Sequence, residues 1–117
     1  MQTADVVHAL LGADQFSLAA VREVYNALRV NRLLSFQYDD QLRVAEAHSL
    51  GITKDGKLAV RAYQTAGESS QPLPGWRMFR LDKIRDAKAL ATESQAPREG
   101  FKPNDKHLAH ILLEIAA

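Results

Sequence analysis

Between residues 34 and 81 apolar and polar residues alternate in short runs, and most of these runs end at a turn signal. This period of two constrains the chain more than any other feature, because alternate side chains of an extended strand point to opposite faces. Such runs fold as half-buried strands, and tight turns between them make the sheet antiparallel. Leu34-Ser35-Phe36-Gln37-Tyr38 is the first run, and Asp39-Asp40 turns it into a second at residues 42–52. Asp55-Gly56 supplies the positive φ of a tight hairpin and leads into a third run at residues 58–63. Residues 64–75, rich in Gly, Ser, Gln and Pro, have no apolar period and read as a mobile loop. Residues 76–81 form a fourth strand, and residues 87–91 a weaker fifth after a tight turn region at 82–86.

Outside this region the period becomes helical. Val6, Val7, Leu10 and Leu11 suit a short helix that Gly12 ends. Ser17 is placed to cap a second helix over residues 18–31, with Leu18, Val21, Val24, Tyr25 and Leu28 on its apolar stripe. Residues 93–103 read as a polar linker. Asn104 then caps a last helix whose stripe is Leu108, Ile111, Leu112 and Ile115. The 117 residues make one domain: helices over 1–31, strands over 32–92, and a linker with a helix over 93–117.

Chemistry is limited by what is missing. With no cysteine there is no disulfide, no thiolate nucleophile and no Cys-ligated zinc. His107 and His110 lie three apart, but spacing places no third metal ligand. The sequence has neither a nucleophile elbow nor a phosphate-cradling Gly-rich loop, so a non-catalytic role without metal or cofactor is expected. No apolar run is long enough to span a bilayer and the N-terminus lacks a signal-peptide pattern, so a soluble, cytoplasmic protein is expected.

The net charge is +1, yet residues 54–88 carry eight basic and four acidic side chains. Strand alternation puts Arg61, Tyr63, Trp76 and Arg80 on one sheet face. Guanidinium groups bind phosphates and aromatic rings stack on bases, so such a face suits a nucleotide or a single strand; pairing of the arginines with acids such as Asp82 is the plainer alternative. Arg77 has inward parity with Phe79. Either it sits at the mouth of the strand and reaches a pocket, or a bulge beside Gly75 re-aims it; an ion pair with Glu46 or Asp82 satisfies it equally.

Taken in order, Leu34-Ser35-Phe36-Gln37-Tyr38, Leu50-Gly51, the run from Asp55 to Tyr63, and above all Arg77-Met78-Phe79-Arg80-Leu81-Asp82-Lys83-Ile84 resemble a WYL domain. The resemblance covers about residues 18–92. Lysine at 83 departs from the family's closing motif, and Leu58-Ala59-Val60 stands where the family has its Trp-Tyr-Leu. What the resemblance implies is an α+β fold: a small five-stranded antiparallel Sm-like, SH3-type β-barrel with two N-terminal helices and a C-terminal helix. It further implies a bacterial or phage regulatory module, acting in transcription or defence, that senses a nucleotide, oligonucleotide or single-stranded nucleic acid. Arg61, Tyr63, Arg77 and Arg80, with Tyr38 and His48, are the implied pocket residues. Too little chain precedes the first strand for a winged helix-turn-helix, so a protein partner or a homodimer is expected. The alternative is a protein-protein interaction module in which the arginines are structural.

Overall fold

The computed structural model describes residues 18–116. The first expected helix, with Val6, Val7, Leu10 and Leu11, lies outside them. The described elements are helix α1 (Leu18–Arg29), strands β1 (Arg32–Tyr38), β2 (Gln41–Thr53), β3 (Leu58–Gly67) and β4 (Gly75–Arg80), a 3-10 turn at Leu81–Lys83, and strands β5 (Arg85–Glu93) and β6 (Leu108–Glu114). The antiparallel strands and turns fall where alternation placed them, because residues Leu34, Phe36, Val60 and Phe79 can all reach one buried side only as strands. β3 runs on to Gly67, past the expected end at Tyr63, paired with β2 on one side and with β4 on the other.

Two expectations about the architecture are corrected. The sheet is open, with order β4-β3-β2-β1-β5, and β4 and β5 are not hydrogen-bonded to each other, so no Sm-like or SH3-type barrel is formed. The helix takes part of the place a closing strand would occupy: α1 packs on β5, and the Ala89 N–H is bonded by the Glu23 carboxylate at 3.0 Å. The second correction is the C-terminal helix, which is β6. β2 is 13 residues long, but β1 pairs only with its first half, Gln41 to Glu46. The remaining edge of β2, from Ser49 to Thr53, is paired by β6. An isolated helix of about ten residues is marginal in water, whereas this segment completes a ladder whose backbone groups need partners. Gly51 makes the approach possible, since a Cβ there would collide with the His110 carbonyl oxygen.

The core lies between α1 and one face of the sheet. Val24, Leu28, Leu34, Phe36, Leu50, Val60, Phe79, Leu81 and Ile84 are all buried there. Phe36, Tyr38 and Phe79 meet edge to face, with Phe79 4.8 Å from Phe36 and 4.9 Å from Tyr38. Arg43 closes this aromatic cluster: its guanidinium stands 5.7 Å from the Tyr38 ring centre and donates to Gln41 at 2.9 Å. The Tyr38 hydroxyl accepts from the Arg80 N–H at 3.2 Å. Tyr38→Phe should therefore lower stability by about 0.5–1.5 kcal/mol, the net worth of one such bond, measured as a shift in the urea midpoint with unchanged slope.

A register shift in β2 between Ala47 and Ser49 adds a residue to the reverse face. Ala45 and Ala47 belong to the core, as do Leu50 and Ile52, so parity inverts across the bulge and His48 and Ser49 both turn away from the core. Residues 94–107, expected to be polar linker as far as Pro103 and the start of the last helix from Asn104, pack over this reverse face and make a second, smaller buried layer that includes Ala96 and Leu108.

Candidate functional site

The reverse face brings Glu46 and His48 of β2, Arg61 and Tyr63 of β3, and Trp76 of β4 together under residues 94–107. Cross-strand register dictates the grouping: Glu46 lies opposite Tyr63, Ser49 opposite Arg61, and Tyr63 opposite Trp76. Tyr63 and Trp76 meet edge to face at 5.2 Å, and the His48 ring stands 4.6 Å from Trp76. Phe101 comes down from the covering segment, 5.2 Å from His48 and 6.4 Å from Trp76, nearly parallel to the indole. Gly100, at φ +92°, lets the segment pass close to the indole; a Cβ there would sit 3.2 Å from Trp76 Nε1.

Hydrogen bonds fasten the segment at several points. Buried Glu46 accepts from the Gln95 N–H at 2.7 Å and from Arg98 Nε at 2.6 Å and Nη2 at 3.2 Å. The Arg98 guanidinium also lies 5.2 Å from the Tyr63 ring centre, and its bond to Glu46 raises its pKa further above the ordinary value. His48 Nε2 accepts the Arg98 backbone N–H at 2.9 Å. Glu114 of β6 accepts from the Asn104 N–H and the Ser49 hydroxyl. Finally, Arg61 Nε donates to Asp105 at 2.6 Å. Burial pushes the Asp105 carboxyl up, but Arg61 and the His107 N–H outweigh it and hold the group below its ordinary value.

Between the sheet and the far end of this segment lies an open cleft of about 380 Å³. Trp76 and Arg61 line it from the sheet, and residues 100–107 line it from the segment, bringing Phe101, Lys102, Lys106 and His107 to its wall. The arrangement is an aromatic surface with a cationic rim. Two lysines and Arg61 face one carboxylate, that of Asp105.

Of the residues expected to form a pocket, only Arg61 lines this cleft. Tyr63 and His48 stand behind Trp76 and support it. Arg77, Arg80 and Tyr38 are elsewhere. Arg77 keeps the inward parity read from the sequence, and pairs with neither Glu46 nor Asp82: it donates to the Trp76 carbonyl at 2.8 Å, the Pro72 carbonyl at 2.9 Å and the Ser69 hydroxyl at 3.2 Å. It thus pins the loop that precedes β4. Arg80 forms a two-point ion pair with Asp82, through Nε at 3.1 Å and Nη2 at 2.5 Å. The bond to Asp82 raises its pKa above the ordinary value. Tyr38 packs in the core with its hydroxyl at the rim. With the barrel gone, the pocket that the resemblance placed these residues in is not formed, and the transcriptional or defence role inferred with it finds no support in the fold.

The sequence reading missed Arg98, Phe101, Lys102, Asp105 and Lys106. The available signal was Gly100-Phe101-Lys102, an aromatic residue between a glycine and a lysine in a stretch otherwise read as polar linker. Among the described residues no group of three His, Asp or Glu side chains is placed to hold a metal ion, and His110 lies on β6 rather than on a helix. No helix among them is long and apolar enough to cross a membrane. No family model matches the sequence, and neither a curated protein nor a solved structure matches the chain.

Proposed function

We propose that the chain is a non-catalytic binding module whose cleft takes an anionic ligand with a planar ring, of the nucleotide class, as a free nucleotide or as one residue of a single strand. The observation that carries this reading is the cleft itself: Trp76 and Phe101 beside Lys102, Lys106 and Arg61 around about 380 Å³. Aromatic faces stack on bases irrespective of sequence, and cationic side chains meet the phosphate. Asp105 orients Arg61 by its ion pair, so the guanidinium is fixed in place before a ligand arrives.

The test uses the only tryptophan in the chain. A base stacked on Trp76 quenches its emission, so titration with mononucleotides and short single-stranded oligonucleotides should give saturable quenching that weakens with salt. Lys102→Ala and Lys106→Ala should each weaken binding about fivefold, close to the upper end for an exposed ion pair. Arg77→Ala, on the opposite face, should leave affinity unchanged. Unaltered emission with a folded protein at low salt would rule the reading out.

A specific observation favours a second reading. Arg61 and Arg80 are both paired with acids of the same chain, Asp105 and Asp82, as expected if the arginines are structural and the protein serves as a protein-protein interaction module. Indifference to nucleotides, with a partner recovered whose binding is lost on Phe101→Ala, would favour it.

A further inference from the structure

We propose that His48 is a proton-sensitive latch behind the cleft: its protonation releases residues 95–101 from the sheet. The geometry carries the proposal. His48 is fully buried, and both ring nitrogens are engaged. Nδ1 lies 2.9 Å from the Glu46 carbonyl oxygen and Nε2 lies 2.9 Å from the Arg98 backbone nitrogen. The Arg98 N–H can only donate, and the carbonyl can only accept, so the ring is neutral with its proton on Nδ1. A second proton on Nε2 would point a donor at a donor. The Arg98 amide must then move off, and Arg98 is the residue whose side chain also ties the segment to Glu46.

Among the described residues, the charged surroundings do not offer the new proton an alternative acceptor at Nε2. Glu46, on the same strand, favours the imidazolium, but its carboxylate oxygens are occupied by the Gln95 N–H and the Arg98 side chain. Arg98 on the covering segment opposes the imidazolium. From β3, Arg61 is held by Asp105 and Tyr63 lies against Trp76; from β6, Glu114 is held by Ser49 and Asn104. β4 presents the uncharged Trp76. Burial is the largest influence and keeps the His48 pKa below its ordinary 6.5, against the upward pull of the Glu46 carbonyl and carboxylate. A group depressed in the folded state favours the closed form above its free value. The latch therefore holds above pH 6.5 and weakens progressively as pH falls from there to the lowered value. The carboxyl of Asp105, also held below its ordinary value on this face, lets go only below 3.8, well outside that window.

The latch does not depend on what fills the cleft; its consequence, that ligand is bound more weakly in mild acid, rests on the reading above. Amide hydrogen exchange of the unliganded full chain between pH 8 and pH 5 tests the latch alone. Protection factors of residues 95–101 should fall by up to about tenfold per pH unit within the window, as one linked proton requires, while β3 amides stay protected. In His48→Gln this pH dependence should vanish. A pH-independent protection factor in the wild type, or an unchanged dependence in His48→Gln, would overturn the proposal. Should His48→Gln fail to fold, nitrogen NMR of the wild-type imidazole decides instead: a proton on Nδ1 at pH 8 that is joined by a second as the Arg98 amide becomes exposed supports the latch, and an Nε2-protonated neutral ring refutes it. Nucleotide titration of Trp76 at pH 8 then reports separately on the cleft.

Discussion

Replacing Glu46 with alanine is expected to destabilise the protein by about 2–4 kcal/mol. The carboxylate is 1% exposed and accepts three hydrogen bonds, one from the Gln95 amide and two from Arg98. Hydrogen bonds to a charged group are each worth about 1.5–3 kcal/mol when removed. They do not add fully here, because the Arg98 side chain is 31% exposed and can turn to water once its partner is gone. Glu46→Gln keeps an acceptor for the Gln95 N–H and should lose about half as much. Arg98→Ala leaves the carboxylate buried with its charge unanswered, and should be at least as damaging as Glu46→Ala. Urea denaturation of the three variants checks the ordering. A Glu46→Ala midpoint indistinguishable from wild type would mean that residues 94–107 are not anchored to the sheet by this carboxylate. If they are, Glu46→Ala also loosens the wall that carries Phe101, Lys102 and Lys106, and nucleotide affinity should fall although none of the removed atoms line the cleft.

Gly51→Val should cost at least about 1–3 kcal/mol, the usual range for forcing extra atoms into a packed site. At Gly51 the first added atom meets the His110 carbonyl oxygen, and the next neighbour is Leu108 Cδ1 at 3.2 Å. A backbone atom cannot swing aside as the end of a side chain can, so β6 must move away from β2. The expected signature is local: lost amide protection in β6 and along residues 49–53, with the β1 half of β2 retained, together with a lowered thermal midpoint. A variant with wild-type protection in β6 would show that the C-terminal segment does not pair where β2 needs it. Glu114 travels with β6 and anchors the Asn104 amide. The same substitution should therefore disturb one end of the cleft wall as well.

Much of the sheet was legible because local rules and the final structure agree. The Asp55-Gly56 turn carries its positive φ at Gly56, and Leu34 and Phe36 point into the core as alternation requires. The clustering of Arg61, Tyr63 and Trp76 was equally legible, since strand parity and neighbouring register are enough to put them on one face. The role of Arg77 was not. Its inward parity was readable, but which carbonyls would take its protons depended on where the loop before β4 folds back.

The sequence by itself determined strands β1 to β5, the helix that follows Ser17 and, away from the β2 bulge, which side chains share a face, because periods of two and 3.6 are properties of neighbouring residues. Only the tertiary structure decided whether the sheet closes, and what residues 94–116 do. The segment 108–115 carries apolar residues that suit either period, and its own preferences leave the choice open. It became a strand because half of a long β2 was left without a partner, with Gly51 leaving room for one. Residues 94–107 became a wall, rather than a linker running into a helix, because alternation turns Glu46 and His48 to the reverse face and a bulge at Ala47–Ser49 brings Ser49 to the same face. Buried acceptors there take the amides and the guanidinium that pass over them. Such partners lie some fifty residues apart in the chain, beyond the reach of any local pattern.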